Sequence, residues 1–253
     1  MKISVITAVF NRAGTIREAM TSVQRQSYPH VEHVIQDGGS SDGTLEEIAA
    51  LSNGATCLVS ERDNGIYDAI NRGISRASGK IIGLMHSDDF FADDRVLAKV
   101  AARFDDPQVD GVYGDLQYVS ATDPTRVVRH WKSGEYHPFR LSCGWMPPHP
   151  TLYLRREVFQ RFGLYDTTFS IAADYDAMLR YFAQGHITLA YIPEVMVKMR
   201  LGGESNRSLE RIFRKSREDF RAIRKNGVGG IGTLAAKNFS KLGQFFVKDK
   251  KNK

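Results

Sequence analysis

The sequence predicts an α/β protein: a mostly parallel central sheet with helices on both faces, followed by a helical, basic C-terminal extension. Three observations carry this. Short β-branched runs alternate with helical segments through residues 1–90, and such alternation calls for right-handed crossovers and a sheet covered on both sides. The 253 residues are 42% hydrophobic and 25% charged, enough for a large core without disulfide or metal staples. Charge is divided unevenly. After residue 210 there are 13 Lys and Arg against 3 Asp and Glu, whereas the remainder of the chain is slightly acidic.

The elements follow in order. The continuous apolar run ISVITAV at 3–9 reads as a buried first strand, and Thr15 with Glu18 as a capping box opening a helix to about residue 25. A second strand follows at 31–35, a second capping box at Thr44 and Glu47, and a third strand at 55–59. Asn64-Gly65 marks a turn before a helix at 66–77. Gly79 stops it, and a fourth strand at 81–85 runs into His86-Ser87-Asp88-Asp89. Beyond residue 110 the rhythm is mixed, with strands at 111–119, 151–155 and 188–192 and helices at 157–162 and 174–184. A charged helix at 205–225, a hinge at 227–232 (GVGGIG) and a basic amphipathic stretch at 234–247 complete the pattern. In that last stretch Leu234, Leu242, Phe245 and Phe246 are interleaved with Lys237, Lys241 and Lys248.

Composition narrows the function classes. Cys57 and Cys143 are too few for a disulfide framework and not spaced as zinc ligands, which favours a reducing, cytoplasmic compartment. No eighteen apolar residues run together, and the first apolar stretch lacks a cleavage site. Membrane contact is therefore expected to be peripheral, through the basic extension, against the alternative of a merely solvated helix. No aromatic-basic stacking surface for nucleic acid is legible. Nothing in the pattern sets an oligomeric state.

In open α/β sheets ligands bind beyond the carboxyl ends of the strands. Four successive strand ends here present Asn11, Asp37, Asp63 and the pair Asp88-Asp89. Carboxylates crowded on one rim repel one another unless a cation or hydrogen-bond donors compensate them, and a hard divalent metal meets that need. Neither a Gly-x-Gly-x-x-Gly turn nor a phosphate loop with Lys-Ser/Thr is present, which excludes the common dinucleotide and P-loop readings. Asp42 fits a turn or helix cap as well as a ligand. Asp176, two residues beyond Asp174 on a helix, should point away from it, toward the surface or a supporting position. Trp145 can stack on a sugar or pack its own loop, and His130, His137 and His186 read as ordinary surface or core histidines.

Five segments stand in order over roughly residues 1–205: ITAVFNRAGTI, QDGGSSDGT, SERDNGIYDAINRGISRASGKIIGLMHSDD, HPTLYLRREVF and FSIAADYDAMLR. Together they resemble glycosyltransferase family 2, most closely the bacterial transferases that build O-antigen and exopolysaccharide repeat units. The resemblance implies a GT-A fold over 1–205, with a nucleotide-binding half at 1–110, an acceptor half at 111–205 and the basic extension at 206–253. It implies a base pocket lined by Thr7 and Ala8 and closed by Asp37 and Asp63, with Asn11, Gly38, Asn71 and Asp88 also on the nucleotide sugar. It places Mn2+ or Mg2+ on Asp88 and Asp89, with His149 a further ligand or an acceptor contact. Asp174 would be the base that deprotonates the attacking hydroxyl, so that displacement inverts the anomeric centre. His86 stands where relatives often carry Asp or Asn, which leaves the division of labour between Asp88 and Asp89 open. The Gln-x-x-Arg-Trp motif and membrane spans of processive synthases are missing, so one sugar per encounter is expected.

The expectation is thus a metal-dependent inverting transferase that moves one sugar from a nucleotide sugar, a UDP-sugar by preference, to a lipid-linked saccharide at the inner face of the cell membrane. Two rivals stand beside it. A nucleotidyltransferase would want a Gly-rich basic loop after the first strand, of which Asn11-Arg12-Ala13-Gly14 is a poor version. A non-catalytic sugar- or nucleic-acid-binding protein would have no use for the intact Asp88, Asp89 and Asp174.

Overall fold

The computed structural model describes residues 1–201 and 209–243, with the side chains of 209 and 240–243 left out of account. The first half runs β1 (Ile3–Val9), α1 (Ala13–Gln24), β2 (Val31–Asp37), α2 (Thr44–Leu51), β3 (Thr56–Ser60), α3 (Ile66–Arg76), β4 (Ile81–Leu84), β5 (Phe90–Phe91) and α4 (Val96–Arg103). The second runs β6 (Gly111–Val119), β7 (Val127–Trp131), α5 (Pro138–Ser142), β8 (Tyr153–Arg155), α6 (Arg156–Phe162), α7 (Ala173–Leu179), β9 (Leu189–Arg200), α8 (Leu209–Lys225) and α9 (Ile231–Gly243). A 3-10 turn covers His149–Thr151, and α7 continues into a π-helical turn at Arg180–Gln184.

One sheet holds the strands in the order β3-β2-β1-β4-β8-β6-β9-β5, with β7 paired to β6. β3, β2, β1 and β4 are parallel, and Val9, Asp37 and Ser60 stand side by side at their carboxyl ends. Chain order reverses between β1 and β4, so the predicted crevice lies at the switch point. β4 is buried along its whole length and β1 at every residue but Ala8, because helices cover both faces. α3 lies close on β1: a Cβ at Gly73 would come within 2.4 Å of the Ile6 side chain. The short β5 pairs with Val197 and Lys198 of β9, which carries the end of β9 past Asp88 and Asp89.

Several expectations need correction. α1 begins at Ala13 rather than after a Thr15 cap. The α2 loop supplies its N-terminal acceptors: Arg12 N donates to Thr44 Oγ1 (2.7 Å) and Ala13 N to Asp42 Oδ2 (3.1 Å), while Thr15 Oγ1 is buried without a hydrogen bond. Local capping was overridden by a cap from 29–32 residues away. Asp42 also accepts from Thr44 N (3.1 Å), a capping role. β9 is twelve residues long, not the five anticipated, because it pairs in parallel with the whole of β6, through register irregularities near Gly114 and Asp115, and also takes β5 at Val197 and Lys198. Of the two places anticipated for Asp176 it takes the supporting one: it is fully buried, with Lys225 of α8 and the adjoining Asn226 as partners.

The largest correction concerns the extension. Lys237, expected on a polar face, is 1% exposed, paired with Asp219 at 2.7 Å and seated over the Tyr175 ring. Ala222 and Ile223 of α8 join the same buried cluster as Tyr175, Met178 and Phe182. At the end of α8 the chain turns at 226–227, and Val228 N donates to Ile223 O at 3.2 Å. The division drawn at 205/206, and Phe245, Phe246 and Lys248, lie outside the described residues, as do the side chains of Lys241 and Leu242. Among the described residues no helix is long and apolar enough to cross a membrane.

Candidate active site

The rim after β1 and β2 is built largely from hydrogen bonds within the chain. Thr7 is fully buried; its hydroxyl donates to Met85 O (2.8 Å) and lies 2.9 Å from His33 Nε2. Ala8 beside it is partly exposed. Asn11 adopts a left-handed conformation (φ 50°), and its Oδ1 accepts from Ser41 N at 3.0 Å. Asp37 is buried, and its Oδ2 accepts from Gly39 N (2.9 Å), Ser40 N (3.0 Å) and the Ser60 hydroxyl (2.6 Å). Burial alone would raise its pKa, but these bonds and that from the Ser40 hydroxyl outweigh it and hold the carboxyl below its ordinary value. A side chain at Gly38 would strike Asp63, since its Cβ would come 2.6 Å from Oδ2. Asp63 Oδ1 in turn accepts from Gly65 N at 2.9 Å. Gly38 and Asp63 are thus brought into close contact.

The rim after β4 differs. Asp88 is half-buried, and its carbonyl accepts from Arg200 Nη1 (2.9 Å). Asp89 is 1% exposed; its Oδ1 accepts from Arg200 N (3.2 Å), while Oδ2 is buried with no hydrogen-bond partner. Burial, then the neighbouring Asp88, push the Asp89 carboxyl well above its ordinary value, and Arg200 offsets this only in part. Among the described residues no three Asp, Glu, His or Cys converge at ligand spacing. Two carboxylates fit the way Mg2+ or Mn2+ is held when substrate phosphates and water complete the shell. The orphaned Oδ2 of Asp89 is the observation in favour of that fit.

Facing this rim is Asp174, in the first turn of α7. Tyr67 joins the two halves: its hydroxyl donates to Ile171 O (2.6 Å) and lies 3.2 Å from Asp174 Oδ1. Its ring stacks on Tyr165 at 5.9 Å, whose hydroxyl meets His149 Nε2 at 2.8 Å. His149 lies 6.1 Å from His86, ring to ring. Burial lowers His86, opposed by the charges of Asp88 and Asp174, so both carboxylates act on that ring. Burial likewise takes His149 down to about 4, a neutral imidazole at physiological pH, with Asp174 opposing. His149 therefore stands beside Asp174 and His86, with one ring nitrogen engaged by Tyr165.

Asn71 is committed elsewhere. Its Nδ2 donates to Tyr165 O (2.9 Å) and its Oδ1 accepts from Tyr165 N (3.0 Å). Tyr67 and Asn71, four apart on α3, share one face and together hold the Tyr165 loop against the site. Sequence reasoning missed Tyr67, Tyr165 and Arg200. Tyr67 lies inside the GIYDAINRGI segment already singled out, and spacing from Asn71 was the available signal. For Tyr165 and Arg200 only tertiary packing reveals the role. Trp145 donates Nε1–H to Ser133 O (2.8 Å) and packs edge-on to Tyr113, a loop-packing arrangement.

With this geometry in hand, likeness to known proteins is specific. The profile of Glycosyl transferase family 2 matches residues 4–175. A PGL/p-HBAD biosynthesis glycosyltransferase of Mycobacterium tuberculosis is 30% identical over 217 residues, spanning 84% of this chain and 82% of that protein. An uncharacterized glycosyltransferase of the same organism is 31% identical over 181 residues, 70% of this chain and 68% of its own length. Among solved structures, a mannosyltransferase from Pyrobaculum calidifontis in complex with GDP-Man and Mn2+ superposes with TM-score 0.68 at 20% identity, covering 96% of this chain and 70% of that one. S. aureus TarS 1-349 in complex with UDP-GlcNAc gives 0.66 at 18% identity, over 90% and 66% of the respective chains. Two-thirds of the sequence matched by one profile, a 30% identical relative over most of both lengths and a shared architecture agree: the chain is a member of glycosyl transferase family 2 with the GT-A fold.

Proposed function

We propose that this glycosyltransferase moves a single sugar from a nucleotide sugar, a UDP-sugar by preference, with inversion, aided by Mn2+ or Mg2+ held at Asp88 and Asp89. The observation that carries the reading is the pairing of a buried, half-unpartnered Asp89 on one rim with Asp174 on the facing helix, linked through Tyr67, Tyr165, His149 and His86. When bound, the cation stabilises the charge that develops on the departing diphosphate. Asp174 takes the proton of the acceptor hydroxyl as it attacks the anomeric carbon. Thr7, Ala8, Asn11, Asp37, Gly38 and Asp63 shape the nucleotide side of the cleft; for Asp37 this means ordering the 37–40 loop as much as touching a base. Asn71 contributes by seating Tyr165. The GDP-Man and Mn2+ of one structural neighbour and the UDP-GlcNAc of another are consistent with this chemistry.

The acceptor we infer is a lipid-linked saccharide of a surface polysaccharide or glycolipid, met at the inner face of the membrane. Ile212 and Phe213 on α8, and Ile231 and Phe239 on α9, are 52–75% exposed, and α8 carries Arg214, Arg217 and Arg224 on exposed positions. Exposed apolar groups among arginines suit an anionic bilayer surface. The experiment that tests the reading is thermal stabilisation by UDP, GDP, TDP and their sugars, with and without Mn2+ or Mg2+. A metal-dependent rise with one nucleotide class is expected. A rise with GDP or TDP alone corrects the donor, and no rise with any nucleotide overturns the transferase site as drawn.

A further inference from the structure

We propose that the C-terminal helix pair is a clamp that sets the position of Asp174, with Glu218 as its central positioning residue. The proposal deepens the reading above and rests on Asp174 being the base.

Three contacts converge on the segment that carries Asp174. First, the Glu218 carboxylate accepts from the three backbone amides leading into α7: Ser170 N (3.1 Å), Ile171 N (2.8 Å) and Ala172 N (3.0 Å). Ala172 is the residue that caps α7 and Ser170 and Ile171 precede it, and a side chain 46–48 residues downstream takes all three amides. Second, the buried Asp176 accepts from Asn226 Nδ2 (3.0 Å) and pairs with Lys225 at 3.2 Å. Third, the Lys237 ammonium lies 3.1 Å from the centroid of the Tyr175 ring and pairs with Asp219, which also pairs with Lys215 at 3.0 Å. Residues on both sides of Asp174 are thus held from α8 and α9, while Asp174 itself turns to Tyr67. The same residue is tied from the other side, because Ile171 accepts the Tyr67 hydroxyl through its carbonyl and gives its N–H to Glu218.

A base must meet its proton within hydrogen-bond reach, and a displacement of about 1 Å can cost on the order of a hundredfold in rate. The Glu218 contacts described here are to the backbone amides of 170–172 and not to Asp37, Asp88 or Asp89, so donor binding should be indifferent to Glu218. The clamp predicts a split: kcat falls while nucleotide affinity stands.

The test uses the full chain with Glu218→Ala, Glu218→Gln and Asp174→Asn. Hydrogen exchange across residues 168–180 is read first, since it needs no substrate. Turnover of UDP-N-acetylglucosamine and GDP-mannose with Mn2+ is then normalised to nucleotide-binding sites. For Glu218→Ala, faster exchange at 170–172, kcat down by about 10- to 100-fold and an unchanged donor KM are expected. Glu218→Gln, which keeps one acceptor oxygen, should fall between, and it decides the matter if the alanine variant does not fold. Unaltered exchange at 170–172, or unaltered kcat in both Glu218 variants while Asp174→Asn is inactive, overturns the clamp and leaves the base in place. Full turnover by Asp174→Asn removes the base and the clamp together. A fall in nucleotide affinity that matches the fall in kcat reassigns Glu218 to general folding support.

Discussion

The loops after β2 and β4 each bury an aspartate beside the same cleft and treat it in opposite ways. Asp37 is surrounded by amide and hydroxyl donors of its own and the β3 loop, and its carboxyl is held below the ordinary value. Asp89 receives one backbone amide, has a second carboxylate as its neighbour, and is pushed well above it. Burial is common to both, so burial does not assign the roles. The supply of donors differs: both oxygens of Asp37 are engaged by its own chain, which orders the loop, whereas Asp89 keeps a buried oxygen without a hydrogen bond, the place where the proposed cation would bind.

The strongest way to break this contrast is Asp89→Asn, which removes charge at constant volume. Loss of a metal ligand should cost several kcal/mol of transition-state stabilisation, about a hundredfold or more in turnover, and abolish the Mn2+-dependent part of nucleotide stabilisation. The unliganded melting temperature should not fall, since the amide keeps an acceptor for Arg200 N and the replaced oxygen had no hydrogen bond to lose. A clear drop in that temperature would mean that Asp89 is structural after all.

Asp37→Asn should behave in the reverse manner. It weakens charge-assisted bonds to Gly39, Ser40 and Ser60, with an expected loss of about 3 kcal/mol in urea unfolding. The sign with pH follows from the lowered carboxyl: its contribution is present above the ordinary carboxylate pKa and is lost as pH falls through the lower folded value. The variant should therefore lose the corresponding part of the wild-type acid sensitivity below about pH 4. An unfolding midpoint equal to wild type at pH 7 would sink the loop-ordering role.

His33 sharpens the comparison one layer below, where it meets Thr7. Burial takes it down to about 4, so the unfolded chain binds a proton that the folded chain refuses between roughly pH 6.5 and 4. Stability should fall on acidification, by about 2 kcal/mol between pH 7 and 5 from this residue. His149 acts in the same direction, so the measurement is the difference between wild type and His33→Gln, whose urea midpoints should converge as pH falls. Parallel midpoints across that range would show that His33 is not kept neutral.

Much of the parallel half could be read in advance, because strands buried on both faces announce themselves as β-branched runs and their helices carry the return. The strand ends followed from that, and with them Asn11, Asp37, Asp63 and Asp88-Asp89. Where a feature depends on partners distant in sequence, the pattern was mute. The Thr15 capping box lost to Thr44 and Asp42, β5 is two residues long, and Tyr165 becomes a site residue only because Asn71 grips its backbone. Lys237 is the clearest case. A lysine among apolar residues looks like the polar face of an amphipathic helix, and it takes Asp219 and the Tyr175 ring, from two other helices, to help make its burial tolerable.

Asn11 gives the smallest and most local effect, at the third strand end of the same rim. It holds φ at 50°, a region that asparagine tolerates better than most residues, and its side chain accepts from Ser41 N. Asn11→Ala loses both the tolerance and the acceptor and should cost about 1–2 kcal/mol, whereas Asn11→Gly loses the acceptor alone and should cost about 1 kcal/mol or less. The ordering of the two variants in urea midpoints separates backbone from side chain. If alanine is the milder change, the left-handed turn carries no strain, and the rim after β1 is held by bonds that do not use the Asn11 side chain, such as Asn11 N to Ser40 Oγ at 2.8 Å. If glycine is milder, Asn11 belongs with Asp37 among the residues that shape the cleft by ordering its edge, and Asp89 remains the rim aspartate with an oxygen to spare.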